Sequence, residues 1–182
     1  MTAKRDLLLT AARLLLMFFI AVLSFAAGAI VLALPLVIGF QGRVLAELTK
    51  KGVEAGPEVI GAILILLAGV AALLALGVYF LVLLRRIVLS VGDGDPFIPE
   101  NAERLSRMGW TVLVGQVASI PVGAMVLWIA SLIEDSTDDA VAGLRADFGF
   151  SGSGLLLMLV LFILARVFRR GAEMREELEG TV

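Results

Sequence analysis

The chain of 182 residues is 60% hydrophobic, carries a net charge of −2 and contains neither cysteine nor histidine. Soluble domains are about 45–50% apolar, so this excess indicates that lipid is the main solvent. The missing residue types exclude disulfides, thiolate chemistry and histidine-dependent proton transfer. The small net charge excludes a strong nucleic-acid footprint. We therefore expect no cofactor, no metal site and no direct nucleic acid binding.

Four apolar runs dominate the sequence, and each is long enough for a membrane-spanning helix, which needs about 20 apolar residues. The predicted fold class is an all-α integral membrane protein with four transmembrane helices in a single domain. We place the spans at residues 14–38, 59–84, 108–133 and 149–168. A cleaved signal peptide is disfavoured, because the first run exceeds the roughly 7–15 residues of a signal-peptide core.

The connection between the first two runs, Gln41–Glu58, contains a small apolar face. Val44, Leu45 and Leu48 share this face. They predict a short amphipathic helix at the membrane surface, which glycines and Pro57 then end before the second span.

The charges that flank the runs predict the orientation, since cytoplasmic segments are enriched in Lys and Arg. The N-terminal segment, the loop 85–107 and the tail 169–182 with its flank hold most of these residues. The other two connections hold few, and Glu134–Asp147 is mainly acidic. We therefore predict a multi-pass protein of the bacterial inner membrane, with both termini and the middle loop in the cytoplasm.

Small and polar residues inside the runs predict how the helices pack in lipid. In the third run Gly115, Ser119 and Gly123 recur at every fourth position, with Gln116 beside them. We interpret Gln116 as hydrogen-bonded between packed helices. The alternative is a substrate path, but such paths are usually marked by ionisable groups, and no acidic or basic residue lies in the uncharged runs 14–40, 59–84, 108–133 and 148–165.

The middle loop contains a turn sequence followed by a helical pattern. Gly92-Asp93-Gly94-Asp95-Pro96 is typical of a bend. After it, Pro99 and Glu100 suit a first helical turn. We predict a short cytoplasmic amphipathic helix over Pro99–Met108, between the second and third transmembrane helices and running into the third. A metal site at the two aspartates is disfavoured, because a calcium loop needs further oxygen ligands.

Acid–base pairs spaced four residues apart recur in the loop and in the tail. Glu103–Arg107 in the loop has the favoured order, with the acid first. In the tail, Arg169–Glu173 and Arg175–Glu179 mix both signs on a predicted helical extension of the fourth span. Such a helix faces solvent or protein, and we expect the tail to contact the loop.

Two short patterns carry a resemblance to a known family. The first is Gly94-Asp95-Pro96-Phe97 with Glu100-Asn101, Arg104-Leu105 and Gly109-Trp110; the second is Phe168-Arg169-Arg170-Gly171 with Arg175-Glu176 and the chain end. The chain resembles a bacterial four-span membrane family known only as domain of unknown function 2975. Members often accompany a small helix-turn-helix regulator, so the resemblance implies a regulatory partner and provides no catalytic residues.

These observations favour a regulatory or sensory membrane protein, not an enzyme, whose loop and tail bind a soluble partner such as a DNA-binding helix-turn-helix regulator. The candidate partner-binding residues are Asp95, Pro96, Phe97, Glu100, Asn101, Arg104, Arg169 and Arg170. The lipid bilayer and a second copy of the chain are further candidate partners. The alternative is a small transporter or channel component, which Gln116, Pro35 and Pro121 favour and the lack of intramembrane charge opposes. A lipid-processing enzyme ranks last, because no nucleophile–base pair is recognisable.

Overall fold

The computed structural model describes residues 2–50, 56–92, 94–131 and 151–179, and the regular structure in these ranges is helical. The helices are α1 (Thr2–Gly39), α2 (Gln41–Lys50), α3 (Pro57–Gly92), α4 (Pro99–Ser131) and α5 (Gly152–Glu179). All except α2 are long and apolar enough to cross a membrane. This confirms the all-α fold with four transmembrane helices. The interpretations of Asp93 and of the acidic loop Glu134–Asp147 concern positions outside the described residues.

The helices extend beyond the apolar runs, which changes the interpretation of the middle loop. α3 continues past Arg85 to Gly92, and α4 already begins at Pro99. A separate amphipathic helix between the second and third spans is not confirmed, because Pro99–Met108 forms the first turns of α4 itself. The physical reason is local: the junction contains no proline, and its one glycine, Gly109, costs about 1 kcal/mol without ending a helix.

α3 ends in a hydrogen-bonded turn, and a glycine allows the backbone conformation that this turn requires. The Gly94 N–H donates to the Val91 carbonyl at 3.2 Å, and the Asp95 N–H donates to the Ser90 carbonyl at 3.2 Å. These two bonds form a Schellman motif. Gly94 has a φ of 90°, a left-handed conformation that glycine adopts without steric cost. The turn directs the chain from α3 to Pro96 and the start of α4.

The connection after α1 is helical, as the apolar face predicted. Pro35 does not end α1, which continues to Gly39. α2 follows directly, and Val44, Leu45 and Leu48 are its half-buried side chains. The amphipathic helix is therefore confirmed, and its location at the membrane surface stays a prediction.

One compact unit comprises residues 1–23, 76–114 and 152–182, within the described ranges. Its core consists of pairs spaced three or four residues apart on three helices, so that each helix buries one face. The members are Leu83, Ile87, Leu105, Met108, Leu161 and Ala165. In the same unit the guanidinium group of Arg13 lies against Gly92. This contact places the N-terminal third of α1 at the same end of the unit as the turn after α3.

The second compact unit comprises residues 24–75 and 115–151, within the described ranges. In this unit α3 and α4 approach closely at Gly69, where an added Cβ would lie 2.6 Å from Val122 Cγ2. Many large apolar side chains of this unit point outward, such as Phe25 and Leu32. Outward apolar side chains over this length indicate contact with the lipid bilayer.

Candidate interaction site at the loop and the tail

The loop after α3 contacts the C-terminal part of α5 through an ion pair. The guanidinium Nη1 of Arg175 faces the carboxylate Oδ1 of Asp95. Both side chains are partly exposed, with 48% and 38% of their surface accessible. The expected contact between loop and tail is therefore confirmed, and it joins two segments that are far apart in the sequence.

An aromatic contact lies beside this ion pair. The rings of Phe97 and Phe168 have centroids 5.2 Å apart with an interplanar angle of 41°. A Cβ built on Gly171 would lie 2.7 Å from Phe97 Cδ1. Only glycine lets the ring approach α5 this closely. We call the set Asp95, Phe97, Phe168, Gly171 and Arg175 the loop–tail contact.

Asn101 stabilises the conformation of the loop through buried hydrogen bonds. Its side chain is fully buried, and its Nδ2 donates to Ser90 Oγ at 2.6 Å and to the Pro96 carbonyl at 2.9 Å. Its Oδ1 accepts a bond from Arg104 Nη1 at 2.7 Å. The amide thus uses both its donor and acceptor sides, and it ties the end of α3, the loop and the first turn of α4 together.

The residues predicted to bind a partner divide into two groups. Asn101 is buried, and Asp95, Pro96 and Arg104 are half-buried with internal contacts. Their structural role here is to shape the loop and hold it against α5. Four side chains are exposed, namely Phe97, Glu100, Arg169 and Arg170. Arg104 bonds Asn101. The expected Glu103–Arg107 pair forms at 2.5 Å.

The structure adds two exposed apolar residues that sequence reasoning missed. Met174 is 56% exposed and Leu178 is 72% exposed. They follow Gly171 at steps of three and four residues, so they lie on the side of α5 that Phe97 contacts. The signal was present in the sequence, because apolar residues four apart in an otherwise charged tail indicate a binding face. We call Phe97, Met174 and Leu178 the apolar patch.

The predicted packing residues lie in the second unit. Gln116 is buried, and its Oε1 accepts a bond from the Ser151 N–H at 2.9 Å, which pairs α4 with the chain just before α5. The Ser119 hydroxyl bonds the Gln116 carbonyl of its own helix at 2.8 Å. Gly123 is buried, but a Cβ on Gly115 would meet no atom within 4 Å. A close approach in this unit lies at Gly69, which the pattern of small residues did not identify.

Within the described parts of the chain, no three acidic side chains come together as a metal site would require. The loop–tail contact consists of one ion pair, two aromatic rings and a glycine. This arrangement is suited to holding helices and presenting a surface.

Comparison with known proteins gives one family. No curated protein and no solved structure matches the chain. The sequence profile of the family described as protein of unknown function DUF2975 matches residues 47–182, which include α3, α4, α5, the loop and the tail. The chain therefore belongs to the DUF2975 family of proteins of unknown function.

Proposed function

We propose that this membrane protein is a bacterial inner-membrane regulatory protein whose loop and tail bind a soluble cytoplasmic partner. The observation that carries the proposal is the apolar patch next to the loop–tail contact. Phe97, Met174 and Leu178 are exposed although they lie beyond the uncharged part of α5 or in the loop. Exposed apolar side chains that polar residues surround are typical of a protein-binding surface.

The charges around the apolar patch suit a protein partner better than lipid alone. Asp95 and Arg175 form an ion pair beside it, and Glu176 and Glu177 follow on the exposed tail. A tail that only bound anionic lipid would be more uniformly basic. Mixed charge around a small apolar centre is the usual composition of a protein interface.

The loop–tail contact also offers a way to regulate binding. Phe97 comes from the connection between α3 and α4, whereas Met174 and Leu178 come from α5. A shift of α5 in the membrane would move Met174 and Leu178 away from Phe97 and so divide the apolar patch. A signal that repacks the spans would then change affinity for the partner, which in this proposal is a DNA-binding regulator.

The test compares partner recovery from native membranes. The full-length protein is crosslinked in cells, purified in detergent and analysed by mass spectrometry. The variant Met174→Glu, Leu178→Glu removes the patch, and Met174→Leu, Leu178→Met is its matched apolar control. We expect a soluble regulator with the wild type and the control, and at least about tenfold less with the glutamate variant, since lost patch burial is worth over 1.4 kcal/mol.

Two outcomes would contradict the proposal. One is recovery of the same soluble proteins with all three chains. The other is recovery of the regulator without any change in transcription of its target genes when the patch is removed. Correct insertion of each variant is verified by its membrane fraction and thermal stability.

A further inference from the structure

α4 and α5 form a cleft in the first compact unit that the proposed function does not use. It has a volume of about 430 Å³. We call it the arginine cleft, and its lining includes Ser106, Phe162, Arg166, Arg169, Arg170 and Glu173. The arginines and Glu173 share one side of α5, since they are spaced three, four and seven residues from Arg166. Gly171, which contacts Phe97, points to a different side of the helix.

Helix packing fixes the walls of the arginine cleft. Phe162 lies edge-to-face on Trp110, with ring centroids 5.7 Å apart. A Cβ on Gly109 would lie 3.1 Å from Phe162 Cε1, so α4 and α5 approach closely at this point. Ser106 lies about one turn before Gly109 on the same helix. The hydroxyl and the arginines therefore face the cleft from two packed helices.

The cleft has an excess of positive charge. Arg170 Nη1 and Glu173 Oε2 are 3.5 Å apart, and both side chains are largely exposed. In the ranges that the structure describes, no ion pair involves Arg166 or Arg169. Three guanidinium groups thus face one carboxylate, and two of them have their donors available to a ligand.

The level of the arginine cleft relative to the membrane indicates which class of ligand it would bind. From Gly152 to Ala165 α5 carries no charge, and Arg166 is its first charged residue. Ile163, Leu164 and Val167 are exposed apolar side chains around this level. An apolar surface that ends at an arginine corresponds to the boundary between acyl chains and headgroups, where lipid phosphates lie.

We propose that the arginine cleft binds a phosphate group at the membrane surface. The planar guanidinium groups of Arg166 and Arg169 match two phosphate oxygens through paired hydrogen bonds. The Ser106 hydroxyl donates from the opposite wall. The phosphate belongs either to the headgroup of an anionic phospholipid, whose chains would cover the apolar side of α5, or to a soluble phosphate ester.

The experiment uses Trp110, which contacts the cleft residue Phe162, as the reporter. The chain has two tryptophans, so Trp128→Phe leaves Trp110 alone. The protein is reconstituted in phosphatidylcholine vesicles that contain a small fraction of brominated phosphatidylglycerol or of brominated phosphatidylcholine. We expect stronger quenching by phosphatidylglycerol and roughly 30-fold lower selectivity in Arg166→Gln, Arg169→Gln, since two arginines near an anionic headgroup together contribute about 2 kcal/mol.

A second arm tests the soluble source. The same chains in neutral detergent are heated with inorganic phosphate or glycerol phosphate, against chloride at equal ionic strength. A rise in Tm that the cleft variant lacks would show that a free phosphate ester occupies the site. Lipid selectivity that the cleft variant lacks would identify the phospholipid headgroup. Either result supports a phosphate site.

The matched control is Arg86→Gln, Arg107→Gln, which removes the same charge from exposed arginines outside the cleft. If this control lowers selectivity as much as the cleft variant does, general surface charge explains the attraction and the proposal is wrong. Absence of both lipid selectivity and phosphate stabilisation in the wild type also overturns it.

Discussion

Asp95 and Arg175 pair across 80 positions of sequence, and their contact holds the loop between α3 and α4 against the C-terminal part of α5. Because both side chains are partly exposed, water screens the pair and the contact contributes little energy by itself. The ion pair instead determines position, since it favours one arrangement of the loop on α5. The apolar contact of Phe97 with Phe168 and Gly171 provides the packing.

A double-mutant cycle on Asp95→Asn and Arg175→Gln should give a coupling energy of about 0.2–1 kcal/mol, as expected for a partly exposed pair. The measurement is equilibrium unfolding in mixed detergent micelles, monitored by tryptophan fluorescence. Glu103 and Arg107 are the comparison pair, since they are exposed neighbours on one helix. A coupling energy of zero would mean that the ion pair does not hold the loop.

Gly171→Ala should destabilise the loop–tail contact by about 1–3 kcal/mol, because the added methyl overlaps Phe97 and forces the ring away. Trypsin should then cleave the tail faster after Arg175. Gly115→Ala is the matched control, since a Cβ there meets no atom within 4 Å. The control should be neutral or stabilising by up to about 1 kcal/mol, as alanine favours helix. Equal tail cleavage in both variants would contradict the contact.

Asn101→Asp should destabilise the first compact unit by about 2–4 kcal/mol, since it replaces a buried donor by an oxygen that faces two acceptors. Those acceptors are Ser90 Oγ and the Pro96 carbonyl. Glu100→Gln, a change of similar size at the exposed neighbouring position, should cost under about 0.5 kcal/mol. Thermal unfolding in detergent distinguishes the two. A small effect of the aspartate variant would show that Asn101 does not hold the loop.

Gly69→Ala should destabilise the second compact unit by about 1–3 kcal/mol, because its methyl would overlap Val122. Val122→Ala removes the methyl groups that cause the overlap. The double variant should therefore be more stable than the sum of the two single changes predicts. Additive losses in thermal unfolding would contradict a direct contact between these positions.

Periodicity and hydropathy predicted the four spans, because the membrane requires about 20 apolar residues per helix whatever the neighbours are. The turn at Gly94 and the helix start at Pro99 were also predictable, because the backbone conformations at helix ends depend on the local residue types. The contact between loop and tail was also predicted, from matched charges near the ends of the spans. Its residue pairing was not, because Arg175 pairs with Asp95 on a distant segment, and spacing rules describe only neighbours on one helix.

Helix packing inside the membrane was harder to predict from one sequence. Small residues at every fourth position pointed to Gly115, Ser119 and Gly123, and their role in packing stays a prediction; close approaches that the pattern did not identify lie at Gly69, Gly109 and Gly171. A glycine permits contact only where a neighbouring helix supplies a side chain of suitable size. The partners Val122, Phe162 and Phe97 lie on other helices or in the loop, so local patterns do not identify them.

α5 is one uninterrupted helix of 28 residues, about 42 Å long at 1.5 Å per residue. Phe168, Gly171 and Arg175 lie along one side of it, at steps of three and four residues. If α5 slid along its axis by one residue, it would also have to rotate by about 100° for each residue to take the place of its neighbour. That rotation would move glycine away from Phe97 and put a bulkier residue there. The loop–tail contact thus fixes the position of α5 along its own axis. It determines how deeply the fourth span is inserted relative to the loop that joins the second and third spans.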